Sequence, residues 1–240
     1  MNILLTGISK GLGLSTASLL LQKGHTVFGI SRSLTPSLKK LKNDYSNNLN
    51  LLHFDLKDSS DVHSKVFKNW IGIDTNIDGF VNNAAIAYDD IVTNLDLDRL
   101  ESMFRLNVFT PMMLVKYVIR QMLLHNIKGS IVHISSISAH TGYKGLAMYA
   151  SSKSSLEGFS KNTAREWGEK GIRSNCVVAG FMETDMSSDL TKEQKERIYK
   201  RTALKKAVEL ESVANTIIFL LSEDSKSITG QNIFIDNGTI

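Results

Sequence analysis

Short apolar runs that alternate with helical patterns constrain the fold of this chain more than any other feature. The runs are rich in leucine or β-branched residues and are bounded by glycine and polar residues, which predicts strands. Seven of them recur along the 240 residues: Asn2 to Thr6, His25 to Ile30, Leu49 to Phe54, Gly79 to Asn82, Gly129 to Ile134, Arg173 to Val178 and Asn232 to Ile235. Between them, stretches such as 12–23 and 97–124 carry apolar side chains at spacings of three and four, as amphipathic helices do.

Strand alternating with helix implies right-handed crossovers and a parallel sheet covered on both faces. We therefore predict an α/β fold, a single doubly wound Rossmann domain over residues 1–240 with a seven-stranded, mostly parallel sheet. A hydrophobic content of 42% suffices for one core of this size. Only two prolines occur and no Gly/Ser-rich linker interrupts the pattern, so we predict no second domain.

The segment from residue 182 to 207 departs from this alternation. It is polar and charged, and Thr191 begins a short helical pattern that runs through Tyr199. Two interpretations stay open for it: a solvated surface excursion, or a mobile lid over a substrate pocket.

Composition argues against several other classes of protein. The net charge is +4, but no basic run exceeds two residues and the basic residues lie among 24 acidic ones, so we predict no nucleic-acid binding. No apolar stretch approaches the roughly 18 residues of a membrane span, and no signal-peptide pattern is present. The single cysteine, Cys176, lies in an apolar run and cannot form an internal disulfide. These features predict a cytoplasmic protein away from the membrane, and we predict no metal site.

A glycine-rich turn from Thr6 to Gly13 follows the first predicted strand and begins the first helix. Gly7 would permit a tight turn, Gly11 would let a pyrophosphate approach the backbone, and Gly13 would allow close packing of helix on strand. The amino terminus of the helix adds free N–H groups and a favourable dipole. We predict a nucleotide site here that also includes Ser9, Lys10 and Leu12, with a plain glycine-rich turn as the alternative.

The end of the second strand predicts which nucleotide binds. Residues 29–33 contain no carboxylate for the ribose hydroxyls of NAD, and Arg32, together with Lys10, could pair with a 2′-phosphate. We therefore predict NADP(H) as the cofactor, with Arg32 as an unrelated surface charge as the alternative. Asp55 and Leu56 follow the third strand and could contact the adenine, although Asp55 could equally cap a helix that begins near Asp58.

Three polar residues in the second half of the chain predict carbonyl chemistry. Ser136 follows an apolar strand, and Tyr149 and Lys153 lie four residues apart on one face of a predicted helix. An ammonium beside a phenol lowers the pKa of the phenol from its usual value near 10. We predict that Tyr149 gives a proton to a carbonyl oxygen, that Lys153 lowers the pKa of Tyr149, and that Ser136 donates a hydrogen bond to the same oxygen.

Two asparagine positions complete the predicted site. Asn107 is a poor residue for a helix interior and has apolar neighbours, so it supports either a water chain to Lys153 or a structural hydrogen bond. Asn83 and Ala84 end the fourth strand beside the expected crevice, where small side chains would let a ribose approach.

Together these residues resemble the short-chain dehydrogenase/reductase family over essentially the whole chain. Residues 6–13 match its Thr-Gly-x-x-x-Gly-x-Gly motif, and residues 82–85 match its Asn-Asn-Ala-Gly motif. Its catalytic tetrad corresponds to Asn107, Ser136, Tyr149 and Lys153. Within the family, residues 177–186 and 228–238 are most similar to 3-oxoacyl-[acyl-carrier-protein] reductases. Ala85, Ala179 and Asn237 depart from the family pattern, which has glycine, proline and glycine there.

The resemblance implies an NADPH-dependent enzyme that reduces a ketone to a secondary alcohol, with a 3-oxoacyl thioester of fatty acid biosynthesis as the first expectation. A sugar or another small-metabolite ketone stays open, as does a non-catalytic NADP(H)-binding regulator. The resemblance also implies that Asn107 supports a proton relay and that Gly180, Met182 and Thr184 contact the cofactor. Tyr149 and Lys153 are expected to contact it as well, with Lys153 binding its ribose. Relatives commonly form homotetramers through the helices at 97–124 and 147–170. Because acyl-carrier protein is acidic, docking residues are expected at Arg120, Lys128 and Lys170.

Overall fold

Seven parallel strands form one sheet, and their order creates a crevice near its centre. The computed structural model describes residues 1–188 and 190–240 and, at position 186, the backbone alone, so residue 189 of the predicted lid lies outside the described residues. The strands are β1 (Asn2–Thr6), β2 (Thr26–Ser31), β3 (Leu49–His53), β4 (Gly79–Asn82), β5 (Ser130–Ser136), β6 (Arg173–Ala179) and β7 (Asn232–Ile235). Their order is β3-β2-β1-β4-β5-β6-β7, which reverses between β1 and β4. Such a reversal leaves a crevice at the carboxyl ends of the strands, where open α/β sheets bind ligands.

The predicted α/β fold is confirmed, and every described strand pair is parallel. The α-helices are α1 (Gly11–Gln22), α2 (Pro36–Asp44), α3 (Leu97–Phe104), α4 (Thr110–Leu124), α5 (Ala147–Trp167), α6 (Lys192–Arg201) and α7 (Leu210–Leu221). Successive side chains of a strand point to opposite faces, so Ile3 and Leu5 of β1 pack in the layer of α1 and α7. Leu4 packs on the other face, with α4 and a wide helical segment at Val62–Ile71.

The helix predicted at 97–124 contains one wide turn. Residues Arg105–Phe109 form a π-helical turn that joins α3 to α4, and Asn107 lies within it. Such turns are frequent at functional sites because they change the direction in which a side chain points.

Strand β5 is longer than its apolar run predicted. The prediction ended the strand at Ile134, where the side chains become polar, but Ser135 and Ser136 continue it because they pair with Val178 and Ala179 of β6. Backbone pairing with a neighbouring strand therefore decided this boundary.

The segment predicted as a surface excursion or lid folds over the carboxyl edge of the sheet. It contains a short 3₁₀ turn at Asp185–Ser187 and helix α6, which begins with a capping box between Thr191 and Gln194. The N–H of Val208 donates to the carbonyl of Phe181 at 2.8 Å, which closes the segment at its base. The interpretation as a lid is thus compatible with its position, and its mobility stays a prediction.

The residues that depart from the family pattern fit their positions. Asn237 has a φ of 57°, a left-handed conformation that asparagine tolerates better than most residues, and its side-chain amide donates to the carbonyl of Lys206 at 3.0 Å. Ala179 lies in β6 between Ser136 and Ile235, and Ala85 has no left-handed backbone that would require glycine. Within the described part of the chain, no helix is long and apolar enough to cross a membrane.

Candidate active site

A cavity of about 970 Å³ opens at the carboxyl edge of the sheet and brings most of the predicted site together. Fifteen of the predicted residues line it: Gly7, Ser9, Lys10, Gly11, Leu12, Arg32, Leu56, Asn83, Ala84, Ser136, Tyr149, Lys153, Gly180, Met182 and Thr184. Three other predicted residues, Gly13, Asp55 and Asn107, lie outside the lining.

The glycine loop is held tightly against the end of β4. A Cβ on Gly7, whose φ is 72°, would lie 2.9 Å from the Cα of Ala84, and a Cβ on Gly13 would lie 2.1 Å from the carbonyl oxygen of Gly7. The hydroxyl oxygen of Thr6 accepts the N–H groups of Asn83 and Ala84, each at 3.0 Å. Gly13 therefore serves the close helix packing predicted for it, and a larger side chain would displace the loop.

The same loop has the features of a phosphate site. Gly11 and Leu12, the first residues of α1, line the cavity, and the N-cap residue of this helix makes no side-chain cap among the described residues. A dinucleotide fits this part of the cavity, because N–H groups and the dipole at a helix amino terminus bind anions.

Two exposed ion pairs lie at the nucleotide end of the cavity. The Nζ of Lys10 is 2.9 Å from a carboxylate oxygen of Asp185 in the segment 182–207, and Arg32 is 3.9 Å from a carboxylate oxygen of Asp55. Asp55 also accepts the N–H of Lys57 at 3.0 Å, and it does not line the cavity. Exposed pairs contribute little energy, so a phosphate could replace either carboxylate at small cost.

Ser136 is arranged as a hydrogen-bond donor to the cavity. Its hydroxyl oxygen accepts the backbone N–H of Ser138 at 3.2 Å and the hydroxyl of Ser138 at 3.0 Å. A hydroxyl group has two acceptor positions and one donor. With both acceptor positions engaged, the proton of Ser136 is left to donate elsewhere.

Burial controls the electrostatics of Tyr149 and Lys153. Loss of water raises the pKa of Tyr149 to about 12, and the nearby charge of Asp89 adds to this shift. Burial lowers the pKa of Lys153 to about 8. The ammonium of Lys153 donates to the carbonyl of Ile134 at 2.8 Å and lies 5.7 Å from the centre of the Tyr149 ring. The pKa of Tyr149 is thus raised overall, because desolvation of the phenolate dominates, and the lowering contribution of Lys153 stays a prediction.

Asn107 connects three elements behind the cavity. Its side-chain oxygen accepts the N–H of Ile86 at 3.0 Å, and its amide donates to the carbonyl of Ile86 at 2.9 Å and to the hydroxyl of Ser152 at 3.1 Å. The hydroxyl of Ser152 in turn donates to the carbonyl of Tyr149 at 2.7 Å. The contacts of Asn107 are thus structural hydrogen bonds, and a water chain to Lys153 stays a prediction.

Several residues that line the cavity were not predicted from the sequence. They include Asp89, Tyr143, Lys144, Leu146, Phe181, Ile198, Arg201 and Thr239. Ile198 and Arg201 share one face of α6, so a helical pattern at that spacing could have indicated them. Thr239 carries no such signal, because the fold brings it to the cavity from the last residues of the chain.

Comparison with known proteins agrees with this geometry. A family model described as enoyl-(acyl carrier protein) reductase matches residues 7–239. The chain is 33% identical over 235 residues to the 3-oxoacyl-[acyl-carrier-protein] reductase FabG of Buchnera aphidicola subsp. Schizaphis graminum, covering 98% of this chain and 95% of the relative. This chain belongs to the short-chain dehydrogenase/reductase family.

Solved structures of this family have the same fold and bind either nicotinamide cofactor. A 4-hydroxyisoleucine dehydrogenase complexed with NADH is 25% identical to this chain, with a TM-score of 0.92 and coverage of 99% of this chain and 98% of the other. ElxO with NADP bound is 28% identical, with a TM-score of 0.89 and the same coverage. Family membership therefore makes this chain an oxidoreductase, and both NADH and NADP occur among its structural neighbours.

The burial of Lys153 predicts a cost in stability that depends on pH. Its pKa of about 8 lies below the ordinary 10.5, which corresponds to about 3 kcal/mol. We expect Lys153→Met to raise the free energy of unfolding at neutral pH, by less than this amount because the hydrogen bond to Ile134 is lost. Above about pH 8 the unfolded chain binds more protons than the folded one, so the wild type becomes more stable and the advantage of the variant shrinks.

Urea unfolding at neutral pH and at about pH 10 measures this difference. Lys161→Met, on the exposed side of α5, serves as the control. A Lys153→Met variant that is less stable than the wild type at neutral pH would contradict the prediction.

Proposed function

We propose that this protein is an NADPH-dependent ketoreductase that converts a 3-oxoacyl thioester to the 3-hydroxyacyl thioester. The observation that carries the proposal is that Ser136, Tyr149 and Lys153 line the same cavity as the glycine loop. The reductases of 3-oxoacyl-[acyl-carrier-protein] among its relatives support the choice of substrate. A sugar or another small-metabolite ketone is the alternative substrate in the same chemistry.

In this proposal the side chains hold and transfer one proton. With a pKa of about 12, Tyr149 is protonated at neutral pH and is ready to act as a general acid. Ser136 donates a hydrogen bond to the carbonyl oxygen, and Tyr149 gives its proton to that oxygen. The ammonium of Lys153 stabilises the phenolate that remains, and Asn107 supports the relay that returns a proton. The bound cofactor supplies the hydride.

Lys10, Arg32 and the first turn of α1 would hold the phosphates of NADP(H). The two cations support this assignment because both line the cavity, and their ion pairs among the described residues are with exposed carboxylates. Asn83, Ala84, Gly180, Met182 and Thr184 would enclose the rest of the cofactor.

NADPH oxidation with acetoacetyl-N-acetylcysteamine, a small thioester, tests this function. We expect turnover with NADPH to exceed turnover with NADH, and we expect Tyr149→Phe to lower kcat by about 10²- to 10⁴-fold because no general acid remains. Tight NADPH binding without turnover would redirect the search to sugar and other small ketones. If Tyr149→Phe retained full activity, the proposed proton donor would be wrong and a non-catalytic regulator would gain support.

Substitution of Arg32 tests the proposed selectivity for NADPH over NADH. Arg32→Ala should lower the ratio of kcat/KM for NADPH to that for NADH by about tenfold, the usual effect of one charge-assisted hydrogen bond. Arg165→Ala, an exposed charge on α5 that does not line the cavity, should leave the ratio unchanged. An equal ratio in both variants would reject Arg32 as the selective residue.

We also propose that acyl-carrier protein docks at Arg120, Lys128 and Lys170, whose positive charge complements its acidic surface. All three are exposed. Charge reversal at these residues should raise KM for a carrier-bound substrate severalfold and spare the small thioester. Because Arg120 also lines the groove between α4 and α5, sedimentation of the variant is the control. Equal effects on both substrates would reject docking.

A homotetramer formed through α4 and α5 is proposed on their unpaired apolar surface. A groove of about 370 Å³ between the two helices is lined by Met112, Val115, Ile119, Leu123, Phe159 and Trp167, among others. Sedimentation equilibrium should give four times the chain mass of 26.6 kDa, and Leu123→Glu should shift it to smaller species. A single 26.6 kDa species for the unmutated chain would reject the tetramer.

Cytoplasmic location stays a prediction of the sequence.

A further inference from the structure

We propose that the ketone substrate carries a second, anionic group, which Arg201 and Lys144 bind at the substrate end of the cavity. This inference rests on the proposed ketoreductase function and narrows its substrate class. The cavity carries more positive charges than the nucleotide and the proton transfer require.

Five cationic residues line the cavity: Lys10, Arg32, Lys144, Lys153 and Arg201. Lys144 and Arg201 among them are exposed to solvent at its mouth. Three of them have partners, since Lys10 pairs with Asp185, Arg32 pairs with Asp55, and Lys153 donates to the carbonyl of Ile134. Within the described part of the chain, Lys144 and Arg201 have neither an ion pair nor a hydrogen bond from the side chain. Two positive charges are therefore available to a ligand.

Lys144 and Arg201 come from different parts of the chain than the cations at the nucleotide end of the cavity. Lys144 lies in the loop that leads from Ser136 to Tyr149, so it reaches the cavity beside the residues of the proposed chemistry. Arg201 is the last residue of α6, in the segment that covers the cavity. Lys10 and Arg32, by contrast, follow β1 and β2.

Helix α6 presents only part of its charge to the cavity. Ile198 and Arg201, three residues apart, line the cavity, whereas Arg197 and Lys200 do not. Lys195 is 3.9 Å from the carboxylate of Glu183, outside the lining. The position of Arg201 is therefore specific within a helix that is basic overall.

The surroundings favour a carboxylate or a phosphate as the ligand group. The carboxylates that line the cavity are Asp89 and Asp185, and Asp185 is paired with Lys10. Lys144 and Arg201 therefore leave an excess of positive charge over Asp89. The guanidinium of Arg201 can donate two parallel hydrogen bonds to either anion. Apolar lining from Leu146, Phe181 and Ile198 suits a short, uncharged link between the ketone and the anion.

Two sources could supply this anion: the carboxylate of a free oxo acid, or the phosphate of a phosphopantetheine arm. Two matched pairs of substrates separate them, acetoacetate against ethyl acetoacetate, and acetoacetyl-phosphopantetheine against acetoacetyl-pantetheine. Within each pair only the anionic group changes. The measured quantity is the ratio of kcat/KM for the charged member to that for the neutral member.

For one of the two pairs, we expect the wild type to prefer the charged member. Arg201→Gln should lower this ratio of kcat/KM values by about tenfold to hundredfold, which is the effect of a charge-assisted hydrogen bond. Lys144→Gln should lower it by a smaller factor, and Arg201→Lys should restore part of it. Arg197→Gln, one turn earlier on α6 and outside the cavity, is the matched control and should leave the ratio unchanged.

A response of the oxo-acid pair identifies a free acid, and a response of the pantetheine pair identifies the carrier arm. Equal losses for both members of each pair in Arg201→Gln would overturn the inference, and so would a wild type without charge preference. Tyr149-dependent turnover without charge preference would leave the ketoreductase intact. Turnover of none of the four substrates would instead reject the 3-oxoacyl reductase function on which this inference rests.

Discussion

The site depends on the close approach of the first and fourth strands at their carboxyl ends. Thr6 is fully buried there, and its hydroxyl oxygen accepts two N–H groups from the residues after β4. The amide of Asn83 returns hydrogen bonds to the carbonyls of Thr6 and Gly7 at 3.0 and 3.2 Å. This junction leaves no room for a Cβ at Gly7 or Gly13, and it aligns the glycine loop with the other strand ends that line the cavity.

Burial of two side chains on α5 has an electrostatic consequence for the chemistry. The phenol of Tyr149 and the ammonium of Lys153 are both shielded from water. Because burial disfavours the charged form of each group, the pKa of Tyr149 rises and the pKa of Lys153 falls. At neutral pH Tyr149 therefore keeps the proton that the proposed reaction requires. Among the described residues, Lys153 donates to one carbonyl and so has donors left for a ligand. The site therefore carries a cost in stability that the surrounding core must offset.

The segment 182–207 and the last residues of the chain both contribute to the lining of the cavity. The buried carboxylate of Asp236 accepts the N–H groups of Gly238, Thr239 and Ile240 at 2.9 to 3.1 Å. The carbonyl of Gly238 accepts the N–H of Ala203 at 3.0 Å, which joins this turn to the segment after α6. Arg201 and Thr239 reach the cavity through these contacts, although neither belongs to a recognisable sequence motif.

The sequence alone determined the strands, the parallel sheet and fifteen of the residues that line the cavity, because apolar periodicity and glycine spacing depend on neighbouring residues. It also indicated Ser136, Tyr149 and Lys153 as one group. Only the tertiary structure decided the end of β5, the sign of the pKa shift of Tyr149 and the presence of Arg201 in the cavity. Strand pairing, desolvation and the placement of a distant helix each depend on residues far apart in the chain, so no local pattern could specify them.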